Sequence, residues 1–233
     1  MTLTSRITTL VIRILVDILC RVYDQPLENV PEHGPLIVVS NHINFLEGPV
    51  IYTHLYPRKT TGYAAAKSWK NPFFSFLFNQ WEIISIKRGE PDLTAIRSGI
   101  DALKRGLILA IAPEGTRSGD GRLKRGRPGV VILTQRSQAP ILPIVHYGGE
   151  TFWRNFKRLR RTDFHIVVGR EFSLNIEGVR LNNEIRQQIV DEIMYQVAAL
   201  LPEEYRGYYS DMSQATEEYL KFPSHSKSNL PSH

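Results

Sequence analysis

The sequence predicts an α/β domain, a mixed, mostly parallel sheet covered by helices, with an amphipathic helix at its N-terminal end. Three observations predict it. Short apolar runs recur at 36–40, 62–66, 81–86, 107–112, 141–146 and 164–168, the lengths and compositions of buried strands. The stretches between them carry helix punctuation, and strands alternating with helices favour parallel pairing through crossovers. At 233 residues the chain suits one sizeable domain with appendages.

The first element is a helix over residues 1–24. Leu3, Ile7, Leu10, Val11, Ile14, Leu15, Ile18, Leu19 and Val22 return at three- and four-residue intervals. Arg6, Arg13, Asp17 and Arg21 interrupt any wholly apolar run, so the helix is too charged to span a bilayer comfortably. Arg13 and Asp17 also break the apolar core a signal peptide needs, and no clear small-residue cleavage site follows. Two readings stay open: the helix packs on the domain, or its apolar face docks between lipid headgroups. The single cysteine, Cys20, falls inside this helical pattern; it excludes an internal disulfide framework and fits a reducing compartment.

Farther along, Asn71-Pro72 and Pro91-Asp92 read as helix starts, and residues 128–138 read as a helix. Residues 181–201 form another, apolar at Ile185, Ile189, Ile193, Val197 and Leu200, which closes the domain. After Pro202 the chain turns polar, and residues 206–233 are expected to form a mobile tail.

Chemistry concentrates in Ser40-Asn41-His42-Ile43-Asn44-Phe45-Leu46-Glu47-Gly48-Pro49, just after the first apolar run. A hydroxyl is a weak nucleophile at neutral pH, and imidazole is the side chain best matched to take its proton. Such a base works when a carboxylate holds the other ring nitrogen, and Glu47 lies within reach of His42. A second segment, Ala112-Pro113-Glu114-Gly115-Thr116-Arg117-Ser118, follows another strand. Its glycine-bearing loop offers backbone N–H groups and the Arg117 fork to an anion. A third, Ile83-Ile84-Ser85-Ile86-Lys87-Arg88-Gly89, ends a strand on basic residues, and a fourth, Ala139-Pro140-Ile141-Leu142-Pro143-Ile144-Val145, is an apolar strand bearing two prolines.

That ordered set resembles the glycerolipid acyltransferase family, the group that includes 1-acyl-glycerol-3-phosphate acyltransferase, over about residues 30 to 170. The resemblance implies that family's fold, with His42 as base and Glu47 as its orienter, where the family pattern carries aspartate. It implies that Arg88 and Arg117 hold an acceptor phosphate, with Lys67 as a further phosphate neighbour in the linking segment. Glu114, Gly115 and Thr116 belong to the family's Glu-Gly-Thr-Arg-Ser motif. Glu114 has two readings, contact with the acceptor's glycerol hydroxyl or anchoring of the loop by pairing with a nearby arginine. Backbone N–H groups near Gly115 are candidate stabilisers of the developing oxyanion.

The expected activity is transfer of a fatty acyl group from a thioester, acyl-CoA or acyl-carrier protein, to the hydroxyl of 1-acyl-glycerol 3-phosphate, giving phosphatidate for phospholipid synthesis. The acceptor hydroxyl can attack the thioester directly, so the site needs no serine or cysteine nucleophile, cofactor or metal. Another acceptor (glycerol 3-phosphate, another lysolipid, an amine- or sugar-bearing lipid) and a catalytically silent lipid binder stay open as alternatives. The division reads as a docking helix at 1–24, the acyltransferase domain at 25–205 and the tail at 206–233.

Charge agrees with a lipid partner. Lys and Arg number 29 against 23 Asp and Glu, and the net charge of +6 favours anionic surfaces. Phospholipid headgroups and nucleic acid are the two obvious ones, and no nucleic-acid motif is present. Arg122, Lys124, Arg125 and Arg127 follow the third motif, suited to guiding an anionic acceptor or acidic carrier, or to an ordinary solvated loop. Arg154, Lys157, Arg158, Arg160 and Arg161 interleave with Phe152, Trp153 and Phe156, a mixture suited to a membrane surface. Peripheral or monotopic attachment at the cytoplasmic face of the membrane is the expected location. His33, His54, His146 and His165 lack a carboxylate at matching spacing and read as structural, and no metal-ligand pattern appears.

Overall fold

A computed structural model describes residues 2–87, 92–224 and 226–231. The helix α1 (Leu3–Leu19) starts at Thr2, whose side chain accepts the N–H of Ser5. It stops earlier than expected, because Cys20–Tyr23 is a strand, β1, and Cys20 is its first residue. Val22 keeps the helical spacing of Ile18 yet belongs to that strand, so periodicity overran the true end by three residues.

The chain then runs through β2 (Leu36–Val39), α2 (Glu47–His54), β3 (Thr60–Ala65), α3 (Pro72–Gln80), β4 (Ile84–Ile86), α4 (Leu93–Lys104) and β5 (Ile108–Ile111). It continues as α5 (Gly129–Ser137), β6 (Ile141–Tyr147), α6 (Phe152–Phe156), β7 (Thr162–Val168), β8 (Ser173–Leu174), α7 (Asn183–Ala199) and β9 (Leu220–Lys221). Helix starts follow side-chain chemistry: Asn71 caps α3 by accepting from Phe73 and Phe74, Asp92 caps α4 through Ala95, and Asn182 caps α7 through Ile185.

Seven strands form one sheet in the order β1-β7-β6-β2-β5-β3-β4. All neighbours are parallel except β6 and β7, which confirms a mixed, mostly parallel sheet. The period-2 alternation of β2 sorts the core. Leu36 and Val38 face α1 and α2, beside Val16, Val50 and Ile51, while Ile37 and Val39 face the layer of α4, α5 and α7. Because β2, β5 and β6 are parallel, their carboxyl ends open on one edge, where α/β sheets place their ligands.

The segment expected to be a mobile tail packs on α7. Tyr209 is fully buried; its hydroxyl donates to Asp191 Oδ1 at 2.7 Å and accepts the Gly126 N–H at 2.9 Å. Buried Glu192 accepts the N–H of Glu218 and Tyr219, and Gln196 accepts the N–H of Asn229. Polar composition misled here, because a few residues, Tyr209, Leu220 and Phe222, pack on the main core while hydrogen bonds to buried polar groups of α7 hold the segment beside them.

Helix α1 packs inside out. Its buried residues include Ser5 and Thr9: Ser5 Oγ donates to Gln80 O at 3.0 Å, and Thr9 Oγ1 accepts from Trp81 Nε1 at 3.1 Å. Its large apolar residues face out, with Leu3 74% exposed, Ile18 62%, Leu10 59% and Ile7 54%. The helix therefore does pack on the domain, through Ser5 and Thr9 near its start and through Val16, with Ile12 and Leu19 partly buried, farther along.

Candidate active site

The first motif lies in the loop from β2 to α2. Asn41 fixes its entry by extending the sheet with a side chain: its amide Nδ2 donates to His146 O at 2.8 Å and its Oδ1 accepts from His146 N at 3.0 Å. His42 is then held by main chain on both sides. Its N–H donates to Glu114 Oε1 at 2.7 Å and its carbonyl accepts from Ser118 N at 2.7 Å, so the third motif clamps the first.

The expected pair is formed. His42 Nδ1 lies 2.6 Å from Glu47 Oε2, with the histidine side chain 21% exposed and the glutamate 8%. Glu47 opens α2, where the helix N-terminus favours negative charge, and its other oxygen accepts the N–H of Asn44. Burial alone would push its carboxyl up, but the hydrogen bonds and charge of His146 and His42 outweigh that and bring it down to about 2. The carboxylate is therefore ionised, His42 Nδ1 carries the proton it shares, and Nε2 is left to accept another.

Glu114 resolves its two readings differently from either. Glu114 is 2% exposed and, among the described residues, bonds no arginine; Oε1 takes the His42 N–H and Oε2 takes the Lys124 N–H at 2.9 Å. Burial pushes this carboxyl up to about 7 against the pull of those two amides. Glu114 is thus the buried joint between the histidine loop and the basic loop.

Gly115 has φ +69°, a left-handed conformation, and a Cβ there would sit 3.3 Å from the Arg127 side chain. Its own N–H is already donated to Ala112 O at 3.0 Å, and those of Ser118 and Gly119 go to His42 O and Ile43 O. Among the amides of residues 114–119, those of Glu114, Thr116 and Arg117 have no such partner, and these are the candidate oxyanion donors near Gly115. Arg117 is exposed and has no carboxylate within 4.0 Å among the described residues, while its carbonyl accepts from Lys124 Nζ. Lys67 is exposed just past β3, on the same sheet edge, with no contact tying it to the pair. Arg88 lies outside the described residues.

Sequence reasoning missed His146. It sits near the end of β6, 2% exposed, with Nε2 3.7 Å from Glu47 Oε1. Spacing could not have found it, since the sheet brings it to the site from the far side of β2. Phe45, inside the first motif, meets Phe152 of α6 edge to face and Trp153 at a tilt, each at 5.4 Å, which joins that aromatic group to the site. Arg161 leaves the basic group read there: its guanidinium donates to Asp17 O and Cys20 O and closes the end of α1. His54 likewise ties α2 to α1, its Nε2 3.2 Å from Asp17 Oδ1.

The family model for acyltransferases matches residues 21–147. Among curated proteins the chain is 34% identical over 122 residues to a 1-acyl-sn-glycerol-3-phosphate acyltransferase of Limnanthes alba, covering 51% of this chain and 43% of that one. It is 26% identical over 180 residues to the protein of that name from Pseudomonas aeruginosa, covering 75% and 69%. It is also 32% identical over 144 residues to an N-acylphosphatidylethanolamine synthase of Arabidopsis thaliana, covering 56% and 51%. The chain spans about half the length or less of the plant relatives it matches. The crystal structure of PlsC, a 1-acyl-sn-glycerophosphate acyltransferase from Thermotoga maritima, superposes with a TM-score of 0.60 over 81% of this chain and 77% of that one. At 20% identity that likeness is one of fold.

Proposed function

The chain belongs to the acyltransferase family, and on that premise we propose that it moves a fatty acyl group from a thioester donor to the hydroxyl of 1-acyl-glycerol 3-phosphate. The observation that carries the reading is the His42 Nδ1 to Glu47 Oε2 contact of 2.6 Å, clamped beneath the Glu114–Ser118 loop.

In this reading His42 Nε2 takes the proton of the acceptor hydroxyl as its oxygen bonds to the thioester carbonyl carbon. Negative charge develops on the carbonyl oxygen, towards the amides of Glu114, Thr116 and Arg117. As the intermediate collapses, the carbon–sulfur bond breaks and the imidazolium returns its proton to the leaving thiolate. Arg117 grips the acceptor phosphate, with Lys67 and Arg88 as further cationic neighbours, and acyl-CoA or acyl-carrier protein supplies the thioester.

Docking on a phospholipid surface belongs to the same proposal. Among the described residues no helix is long and apolar enough to cross a membrane. The outward Leu and Ile of α1 form a face suited to lying in the headgroup region, and Trp153, Phe156 and Leu159 are exposed amid Arg154, Lys157, Arg158 and Arg160 beside the site. Attachment at the cytoplasmic face, without a spanning segment, fits that surface.

A second reading takes the amine of an ethanolamine lipid as acceptor, favoured by the likeness to the N-acylphosphatidylethanolamine synthase. Purified protein in mixed micelles, offered either acceptor with acyl-CoA or acyl-carrier protein, separates them. Phosphatidate as product, falling about 10²- to 10⁴-fold in His42→Ala with vesicle binding unchanged, is the expected result. An N-acylated product moves the assignment to the second reading. Folded, vesicle-bound protein that acylates neither acceptor, or turnover that survives His42→Ala, overturns the proposal.

A further inference from the structure

Glu47 has two imidazoles on it. Oε2 receives His42, while Oε1 takes the Asn44 N–H and faces His146 Nε2 at 3.7 Å. His146 Nε2 is buried and has no hydrogen-bond partner. A buried polar atom without a partner calls for an explanation, because leaving it so costs stability.

The surroundings choose its protonation. His146 Nδ1 lies 3.2 Å from Ser40 Oγ, a hydroxyl able to donate or accept. With the proton on Nδ1, the lone pair of Nε2 would confront the Glu47 carboxylate in a site that is 2% exposed, and that is unfavourable. With Ser40 donating to Nδ1, the proton sits on Nε2 and points at the carboxylate. The ring cannot easily turn away, since it stacks on Phe164 at 5.3 Å and 9°, and Asn41 brackets its backbone on both sides. As it stands the contact is longer than a hydrogen bond, and an approach of about 0.7 Å brings it into range.

We propose that His146 is a positioning residue, donating from Nε2 to Glu47 Oε1 so that the carboxylate is held between two histidines while it orients His42. This rests on the reading of His42 and Glu47 as base and orienter. It also gives the glutamate side chain a purpose: the extra methylene relative to aspartate lets the carboxylate reach His146 while keeping His42. The ionisable groups facing the carboxylate are His42 and His146, with Glu114 behind the His42 backbone. The lowered Glu47 carboxyl agrees, since His146 is the largest of the influences that pull it down.

The test compares the full chain with His146→Phe, which keeps a ring on Phe164, and His146→Gln, which returns an N–H donor near Nε2. Nitrogen NMR of wild-type His146 is expected to show the proton on Nε2. Carbon NMR of the Glu47 carboxyl is expected to show it ionised down to the acid-unfolding pH. In His146→Phe the acid constant falls about tenfold or more, with His146→Gln recovering most of that. The acid limb of kcat/KM moves to higher pH in His146→Phe along with it. A proton on Nδ1, or a Glu47 carboxyl titrating alike in wild type and folded His146→Phe, overturns the proposal. The spectra are taken without substrate, so a failure of acyl transfer would sink the reaction proposed above and leave this inference to be decided by NMR.

Discussion

Glu114 Oε1 accepts the backbone N–H of His42 at 2.7 Å, joining residues 72 positions apart, and its other oxygen accepts the N–H of Lys124. A carboxyl can serve two amides at once, whereas an amide side chain has one oxygen and presents an NH₂ to the second donor. Glu114→Gln is therefore expected to leave one part-buried N–H unpaired and to destabilise the fold by about 1 kcal/mol. Activity should fall further than stability, because the His42 loop loses its clamp. Urea unfolding beside turnover measures both, and unchanged stability would refute the joint.

The pH dependence of stability follows Glu47. Its folded value of about 2 lies below the ordinary 4.5, so its contribution is complete above pH 4.5 and is lost as pH falls towards 2. Glu47→Gln is expected to remove about 3 kcal/mol at neutral pH and to flatten the stability profile between pH 4.5 and 2. Denaturant melts of both proteins at pH 7, 4 and 3 check this; a constant gap across those values would contradict it.

Arg117 is exposed and its guanidinium supports no described carboxylate. Its replacement should leave the fold alone and act on substrate. Arg117→Ala is expected to raise KM for a phosphorylated acceptor about tenfold or more, with Arg117→Lys between, since lysine keeps the charge but loses the fork. Steady-state kinetics against acceptor concentration separate the three proteins, and an equal KM in all would remove Arg117 from the phosphate site.

The outward face of α1 should govern membrane binding. Leu10 and Ile14 are 59% and 49% exposed, so Leu10→Asp with Ile14→Asp is expected to leave the melting temperature nearly unchanged. Sedimentation with anionic phospholipid vesicles should fall at least about tenfold, given some 25 cal/mol for each Å² of apolar surface withdrawn from the bilayer. Equal sedimentation would place docking elsewhere, with the α6 aromatics as the next surface to vary.

Much of this was legible because the signal was local. The six expected strands all exist, displaced by three residues at most, since each is a short apolar run bounded by polar residues. His42 and Glu47 are five residues apart across one strand-to-helix connection, so their spacing already implied contact. The α2 helix escaped notice because Gly48 and Pro49 stand in its first turn, where proline is tolerated but reads as a breaker. His146 and the true partners of Glu114 became visible only when parallel pairing of β2 with β5 and β6 brought distant residues together. The tail was misread because its anchors, Tyr209, Glu192 and Gln196, make long-range polar contacts that composition does not record.

The inverted packing of α1 bears on how rate should be measured. If the proposed docking holds, a protein carrying Leu3, Ile7, Leu10 and Ile18 on its outside gathers at a boundary between water and lipid as a surfactant does. Once it is there, the acceptor it meets is counted per unit of surface rather than per litre. Diluting lysophosphatidate with an inert phospholipid, at fixed bulk concentration, should then slow turnover in proportion to its mole fraction in the surface. Under the proposed function, kinetic constants belong in two dimensions.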